Sequence, residues 1–121
     1  PFIRIGRFAY VGGCSKVTAD VPPYVIVSGI PATARGVNVV GLRRGGVAAT
    51  ERRLVRDAYR VLYRNGLSPA RALETIRATL PATPAVTHLV EFVAGARRGV
   101  CGPARRSSSM VPDQGASEPV P

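Results

Sequence analysis

Apolar and polar positions follow different rules in successive parts of this chain, and each change of rule marks a change of structure. In the first segment Ile5, Val11 and Val17 recur every six residues, and Gly6 and Gly12 follow the first two. A branched aliphatic at every sixth position, often with a small residue beside it, is the hexapeptide period of a parallel β-helix. Each short strand forms one face of a prism, and its aliphatic side chain is expected to point inward onto the next coil. Glycine next to it suits a tight corner. Pro22 and Pro23 break the repeat, because a proline ring fixes φ and removes a ladder donor. The β-branched run 25–27 then reads as one more strand, and 29–36 as a loop.

From residue 50 the period becomes helical. Thr50 reads as a cap, with Glu51 in the first turn where the helix dipole favours a negative charge. Leu54, Ala58, Val61 and Leu62 form an apolar stripe at 3–4 spacing. Gly66 after Asn65 is the expected stop. Ser68-Pro69 and Thr83-Pro84 each place a capping hydroxyl before proline at the first helical position. Leu73, Ile76 and Leu80 carry the apolar face of the second helix, and Val86, Leu89, Val90 and Val93 that of the third. Three short helices with tight connections favour antiparallel packing. The expected organisation is therefore β-helix coil over 1–35, a connecting loop over 36–47, a helical domain over 48–101, and a disordered tail over 102–121. The tail is rich in Pro, Ser and Gly and poor in large apolar groups.

Charge narrows the class of partner. There are 17 Lys+Arg against 7 Asp+Glu, a formal net of +10, and every basic residue but Lys16 is arginine. Such a chain should attract an anion, and the arginine fork bonds phosphate and carboxylate bidentately. Arg53, Arg56, Arg60 and Arg64 fall at spacings that put them on one helix face, either a solvated face or a landing strip for an acidic partner. The few aromatics do not interleave with the arginines, which argues against a single-strand nucleic-acid platform, and no nucleic-acid-binding signature is evident. The stretch 41–46, Gly-Leu-Arg-Arg-Gly-Gly, is able to cradle a phosphate through backbone N–H groups and arginine; it lacks the Lys-Ser/Thr pair of a Walker loop. No apolar run approaches the roughly 18 residues of a membrane span. Cys14 and Cys101 have neither CxxC nor zinc spacing and read as reduced thiols. His88, the lone histidine, reads as a surface or packing residue on the third helix. With His88 so read the chain holds no general base and is expected to be inactive alone; it opens at Pro1, without an initiator Met and with the repeat already under way, so a fragment is expected.

Several of these residues carry a resemblance. The run 11–15 (Val-Gly-Gly-Cys-Ser), the run 20–26 (Asp-Val-Pro-Pro-Tyr-Val-Ile), Gly36-Val37-Asn38 and Gly41-Leu42-Arg43-Arg44, followed by 58–60 and 62–64 of the helical part and Arg98-Gly99, resemble the C-terminal third of the UDP-N-acetylglucosamine acyltransferase family. The resemblance implies the C-terminal end of a left-handed parallel β-helix followed by a three-helix C-terminal domain, in a cytoplasmic homotrimer with active sites between prisms. It implies transfer of a 3-hydroxyacyl chain from acyl carrier protein to the 3-hydroxyl of UDP-N-acetylglucosamine, the first step of lipid A biosynthesis; the alternatives are a hexapeptide transferase of other specificity and a non-catalytic basic module that binds nucleic acid or anionic lipid. A histidine from an earlier coil, outside this chain, would act as base, and no cofactor or metal is implied. Carried over by position, Asn38 corresponds to a nucleotide contact, Arg44 to an arginine near the phosphates, and Gly13 to the floor of the acyl groove. Given the resemblance, the acidic partner for the face of Arg53, Arg56, Arg60 and Arg64 would be the carrier protein, with a solvated face as the other reading. Three positions depart from the family pattern. Val40 stands where an acidic residue is usual, Gly45 where a second arginine is usual, and Ile30 where asparagine is usual.

Overall fold

The computed structural model describes residues 3–97 and 99–104. A three-stranded sheet comes first, made of β1 (Tyr10–Val11), β2 (Val25–Gly29) and β3 (Ala32–Val37), in the order β1-β2-β3. Four helices follow: α1 (Val39–Arg44), α2 (Ala49–Tyr63), α3 (Pro69–Thr79) and α4 (Pro84–Ala94).

The first segment coils as expected, but of its three six-residue aliphatics Ile5 is exposed and Val11 and Val17 are only half-buried. Successive turns of the chain stack in parallel, with Ile5 bridging to Val21, Tyr10 to Ile26 and Val11 to Val27. The ladder between turns runs through Gly6 N–H to the Val21 carbonyl (2.8 Å), Val21 N–H to the Arg4 carbonyl (2.9 Å) and Gly12 N–H to the Val27 carbonyl (2.8 Å). Val21, Val25 and Val27 face inward and are buried. Ile5 does not follow the inward rule: it lies at the edge of the described stack and is exposed.

The stretch 29–36, expected as a loop, is largely strand. β3 returns antiparallel to β2 after a tight turn at Gly29, with a bulge between Ile26 and Val27. Ala32, Ala34 and Val37 turn inward while Thr33 and Arg35 turn away. The alternation is present but rests on alanines and a glycine, residues of low strand preference, so it is faint in the sequence. The segment 36–47, expected as a connecting loop, holds α1. Six residues are too few to display a helical period.

The three expected longer helices are present, with one change of detail. Thr50 lies inside α2 and caps nothing; the N-cap is Ala48, which offers no side-chain bond. Ser68 and Thr83 do cap α3 and α4, accepting from Arg71 N–H (3.3 Å) and Val86 N–H (3.4 Å). The buried face of α2 is made by Val55, Ala58, Tyr59, Leu62 and Tyr63, a stripe slightly rotated from the expected one. Leu54 and Val61 are only half-buried. All four apolar residues named for α4 are buried.

α2 packs on β3, α3 and α4, so coil and helices share one core. Side chains such as Leu42, Val55, Ile76 and Leu89 are almost wholly withdrawn from water, each contributing about 1.5–3 kcal/mol for the larger ones. Residues 102 and 103, expected in the tail, extend this structure: Gly102 offers its carbonyl to Ala34 N–H (2.8 Å) and Pro103 bridges to Ala34. The rest of that expected tail, 105–121, lies outside the described residues, as does Arg98.

Candidate functional site

The short helix α1 is the centre of the candidate site, and Asn38 shapes it. Asn38 is its N-cap; Oδ1 accepts from Gly41 N–H at 3.0 Å. On the other side of the same amide, Nδ2 donates to the Phe8 carbonyl at 2.9 Å. Gly41 has to be small for this, because a Cβ there would overlap the Asn38 amide. Arg43 and Arg44 form the last turn of α1, where a positive charge suits the helix dipole. Both are exposed.

Arg43 reaches a cleft that α1 forms with α2. It is open, about 400 Å³, and is lined by Val39, Arg43, Ala49, Arg52, Arg53, Arg56, Asp57 and Arg60. Five guanidinium groups thus face one carboxylate. Asp57 pairs with Arg60 at 3.5 Å, in a contact that is largely solvated, and Arg52 donates to the Val47 carbonyl at 2.7 Å. Among the described residues, Arg43, Arg53 and Arg56 have no carboxylate within 4.0 Å. An uncompensated group of arginines on a concave wall attracts and orients anionic groups.

The arginine series named from the sequence divides here. Arg53, Arg56 and Arg60 come together in the cleft, whereas Arg64 is the C-cap of α2, beyond its rim. Arg43 and Arg52 join the cleft instead. Arg52 stands four residues before Arg56, so the same spacing rule could have found it; Arg43 belongs to another element and carried no such signal. Asn38 and Arg44 occupy opposite ends of α1. Gly13 lies in the turn after β1, exposed, and a Cβ there would meet nothing within 4 Å.

Behind this site one contact fixes α4 against the coil and another ties α4 to α2. Tyr24, at φ 72°, donates from its hydroxyl to the Ala85 carbonyl at 3.0 Å. Glu51 of α2 accepts from Ala85 N–H at 3.2 Å. Burial pushes the Tyr24 phenol up to about 12; Arg7 opposes this and Glu51 adds to it. Tyr63 is buried and donates to the Cys101 carbonyl at 2.7 Å; burial is the main cause that raises its pKa, and the thiol of Cys101 is raised for the same reason. His88 is exposed, with its ring 6.2 Å from that of Tyr24 in an edge-on arrangement. Cys14 is exposed and Cys101 buried, both as free thiols.

The sequence profile of UDP-N-acetylglucosamine O-acyltransferase, domain 2, matches residues 20–101. The chain belongs to this family. Among relatives, the acyl-(acyl-carrier-protein)–UDP-N-acetylglucosamine O-acyltransferase of Burkholderia orbicola (strain MC0-3) is 44% identical over 103 residues, covering 82% of this chain and 39% of that protein. The enzyme of the same name from Anaeromyxobacter sp. (strain Fw109-5) is 39% identical over 99 residues. Among solved structures, the UDP-N-acetylglucosamine acyltransferase of Bacteroides fragilis 9343 superposes with a TM-score of 0.79 at 33% identity, over 82% of this chain and 39% of that one. The Arabidopsis enzyme gives 0.76 at 36% identity, over 83% of this chain and 38% of its own. The chain thus spans about 39% of the length of the relatives it matches. The matched stretch takes in the hairpin β2–β3 and the four helices, whereas β1 lies before it.

Proposed function

We propose that this chain is the C-terminal part of an acyltransferase that moves a 3-hydroxyacyl group from acyl carrier protein to the 3-hydroxyl of UDP-N-acetylglucosamine, the first step of lipid A biosynthesis. The observation that carries this reading is the family match over 20–101, joined to an arginine-lined cleft suited to an acidic protein. In this reading the coil at the start of the chain is the end of a left-handed parallel β-helix, and the whole enzyme is a cytoplasmic homotrimer. The general base comes from an upstream coil. A base must lie within hydrogen-bond reach of the proton it takes, and exposed His88 on α4 is not assigned that role.

Arg53, Arg56 and Arg60 meet the carrier protein, with Arg64 at the edge of the same face. Arg44 approaches the diphosphate. Asn38 contacts the nucleotide only through hydrogen-bonding capacity left over from its two internal bonds. Gly13 is the floor of the acyl groove; the open space above its Cα leaves room for an acyl chain there. The Val40 side chain offers no acceptor for ribose hydroxyls, so the nucleotide is held with fewer polar side-chain contacts than the family pattern provides.

The test is binding of acyl carrier protein and of UDP-N-acetylglucosamine, separately, to the full-length protein that carries this segment. Saturable binding of both is expected. Carrier binding should weaken with salt and on replacing Arg53, Arg56 and Arg60 by alanine, since exposed charges are screened beyond about 10 Å at 0.1 M salt. Binding of neither, with salt-sensitive binding to nucleic acid or anionic lipid instead, overturns the reading.

A further inference from the structure

Gly45 ends α1 with φ −80° and ψ 1°, a backbone conformation open to any residue. Glycine at a helix end is usually required by a positive φ, and that reason is absent at this position. What excludes a side chain here is Phe8. A Cβ at 45 would overlap the edge of the Phe8 ring, at Cε1 and Cζ. The ring is half-buried and packs against the core, so swinging it aside gives up that packing, and its backbone is pinned as well. Phe8 stands at φ 60°, a conformation that in a non-glycine residue costs of order 1 kcal/mol and persists where neighbours over-determine it. Its carbonyl is held by Asn38 Nδ2, and Ala9 N–H closes a turn onto the Gly6 carbonyl at 3.1 Å. Its ring packs against the core, with the Arg7 guanidinium 5.1 Å from the ring centre.

We propose that Phe8 and Gly45 are a coupled specificity pair. The Phe8 ring fills the side-chain space of position 45 and so limits the end of α1 to two guanidinium groups, Arg43 and Arg44, for an anionic ligand. Asn38 is the positioning residue of this pair: one side of its amide sets the first turn of α1 and the other sets Phe8. Removing the ring makes room for a third cation beside Arg44, where a nucleotide diphosphate would meet it. The ligand half of this inference rests on the reading of Arg44 given under Proposed function.

The test is a pair of double-mutant cycles in the full-length protein. Gly45→Ala is conformationally harmless at this φ, and by chain entropy alone it should be neutral or stabilising. With Phe8 present it is expected instead to lower the melting temperature by several degrees; in a Phe8→Ala background that loss should vanish. Gly45→Arg is then compared in both backgrounds. With Phe8→Ala it should lower KM for UDP-N-acetylglucosamine severalfold, leave kcat little changed, and steepen the salt dependence of KM. With Phe8 in place it should bring no such gain. Phe8→Leu, which lacks the ring edge, replaces Phe8→Ala if the alanine variant does not fold. Equal melting losses in the two backgrounds overturn the coupling. Coupling in the melts with no difference in KM makes the pair purely structural and overturns its role in specificity. Absence of any turnover of UDP-N-acetylglucosamine by the unmodified protein overturns the acyltransferase reading instead, and the melting cycle then judges the pair alone.

Discussion

Gly6 and Gly13 belong to the same glycine-rich segment, yet their surroundings differ. A Cβ at Gly6 would overlap backbone atoms of Pro23 on the next turn, whereas one at Gly13 would enter open space. Backbone cannot swing aside as a side chain can, so Gly6→Ala is expected to destabilise by about 1–3 kcal/mol, readable in urea denaturation. Gly13→Met is expected to leave folding intact and to shorten the acyl chain accepted by the full-length enzyme; unchanged chain-length preference would sink the groove assignment. Tyr63→Phe removes a buried hydroxyl bonded to the Cys101 carbonyl and should cost about 1–2 kcal/mol. Tyr24 adds a pH dependence. Its folded pKa, about 12, lies above the ordinary tyrosine value of 10.0, so folding favours the neutral phenol. That contribution is complete below pH about 10 and is lost as the pH rises toward about 12. Denaturation midpoints should therefore fall across that window, and fall less in Tyr24→Phe.

Among elements, the joint between coil and helices rests on a few polar contacts around a shared apolar core. Arg4 is the clearest. Its backbone N–H and Nε both donate to the buried carboxylate of Asp20 at 3.0 Å. Nη2 donates to the Phe92 carbonyl near the end of α4 at 2.8 Å, and the guanidinium lies 4.0 Å from the Phe92 ring centre. One side chain thus satisfies a buried charge and tethers a helix. Arg4→Ala should destabilise by about 1–3 kcal/mol, mostly because it strips the Asp20 carboxylate of its charged partner. Arg4→Lys should recover only part, since an ammonium lacks the planar fork. A loss confined to α4, seen as faster amide exchange there than in α2, is the expected local signature.

Taken whole, the molecule has one core shared by coil and helices, and a coil that stacks little more than one turn on the next. Ile5, Tyr10 and Ile30 are 51%, 57% and 74% exposed. Solenoid units bury their faces against neighbours and usually need three or more repeats. The 121-residue chain studied alone is therefore expected to be poorly stable as a monomer. A sharp, cooperative melt of the isolated monomer would contradict this.

Read alone, the sequence determined the parts whose signal is local and periodic. The hexapeptide aliphatics gave parallel stacking, and Val86, Leu89, Val90 and Val93 gave the buried face of α4. Ser68-Pro69 and Thr83-Pro84 gave two helix starts, because a cap is a bond between near neighbours in the chain. The resemblance carried by Asn38, Arg43 and Arg44 pointed to the family that the profile match then established. What only tertiary structure decided depends on residues far apart in the chain. β3 exists because β2 offers its edge, although Ala32, Ala34 and Gly36 have little strand preference of their own. Arg43 and Arg52 line the cleft, and Arg64 does not, because the cleft lies between α1 and the part of α2 that runs from Ala49 to Arg60. Phe8 meets Gly45, and Asn38 reaches Phe8, only once the coil and α1 are brought together. Helical and strand periods record each residue's solvent exposure along its own element, whereas a site is set by contacts between elements, which no local period encodes.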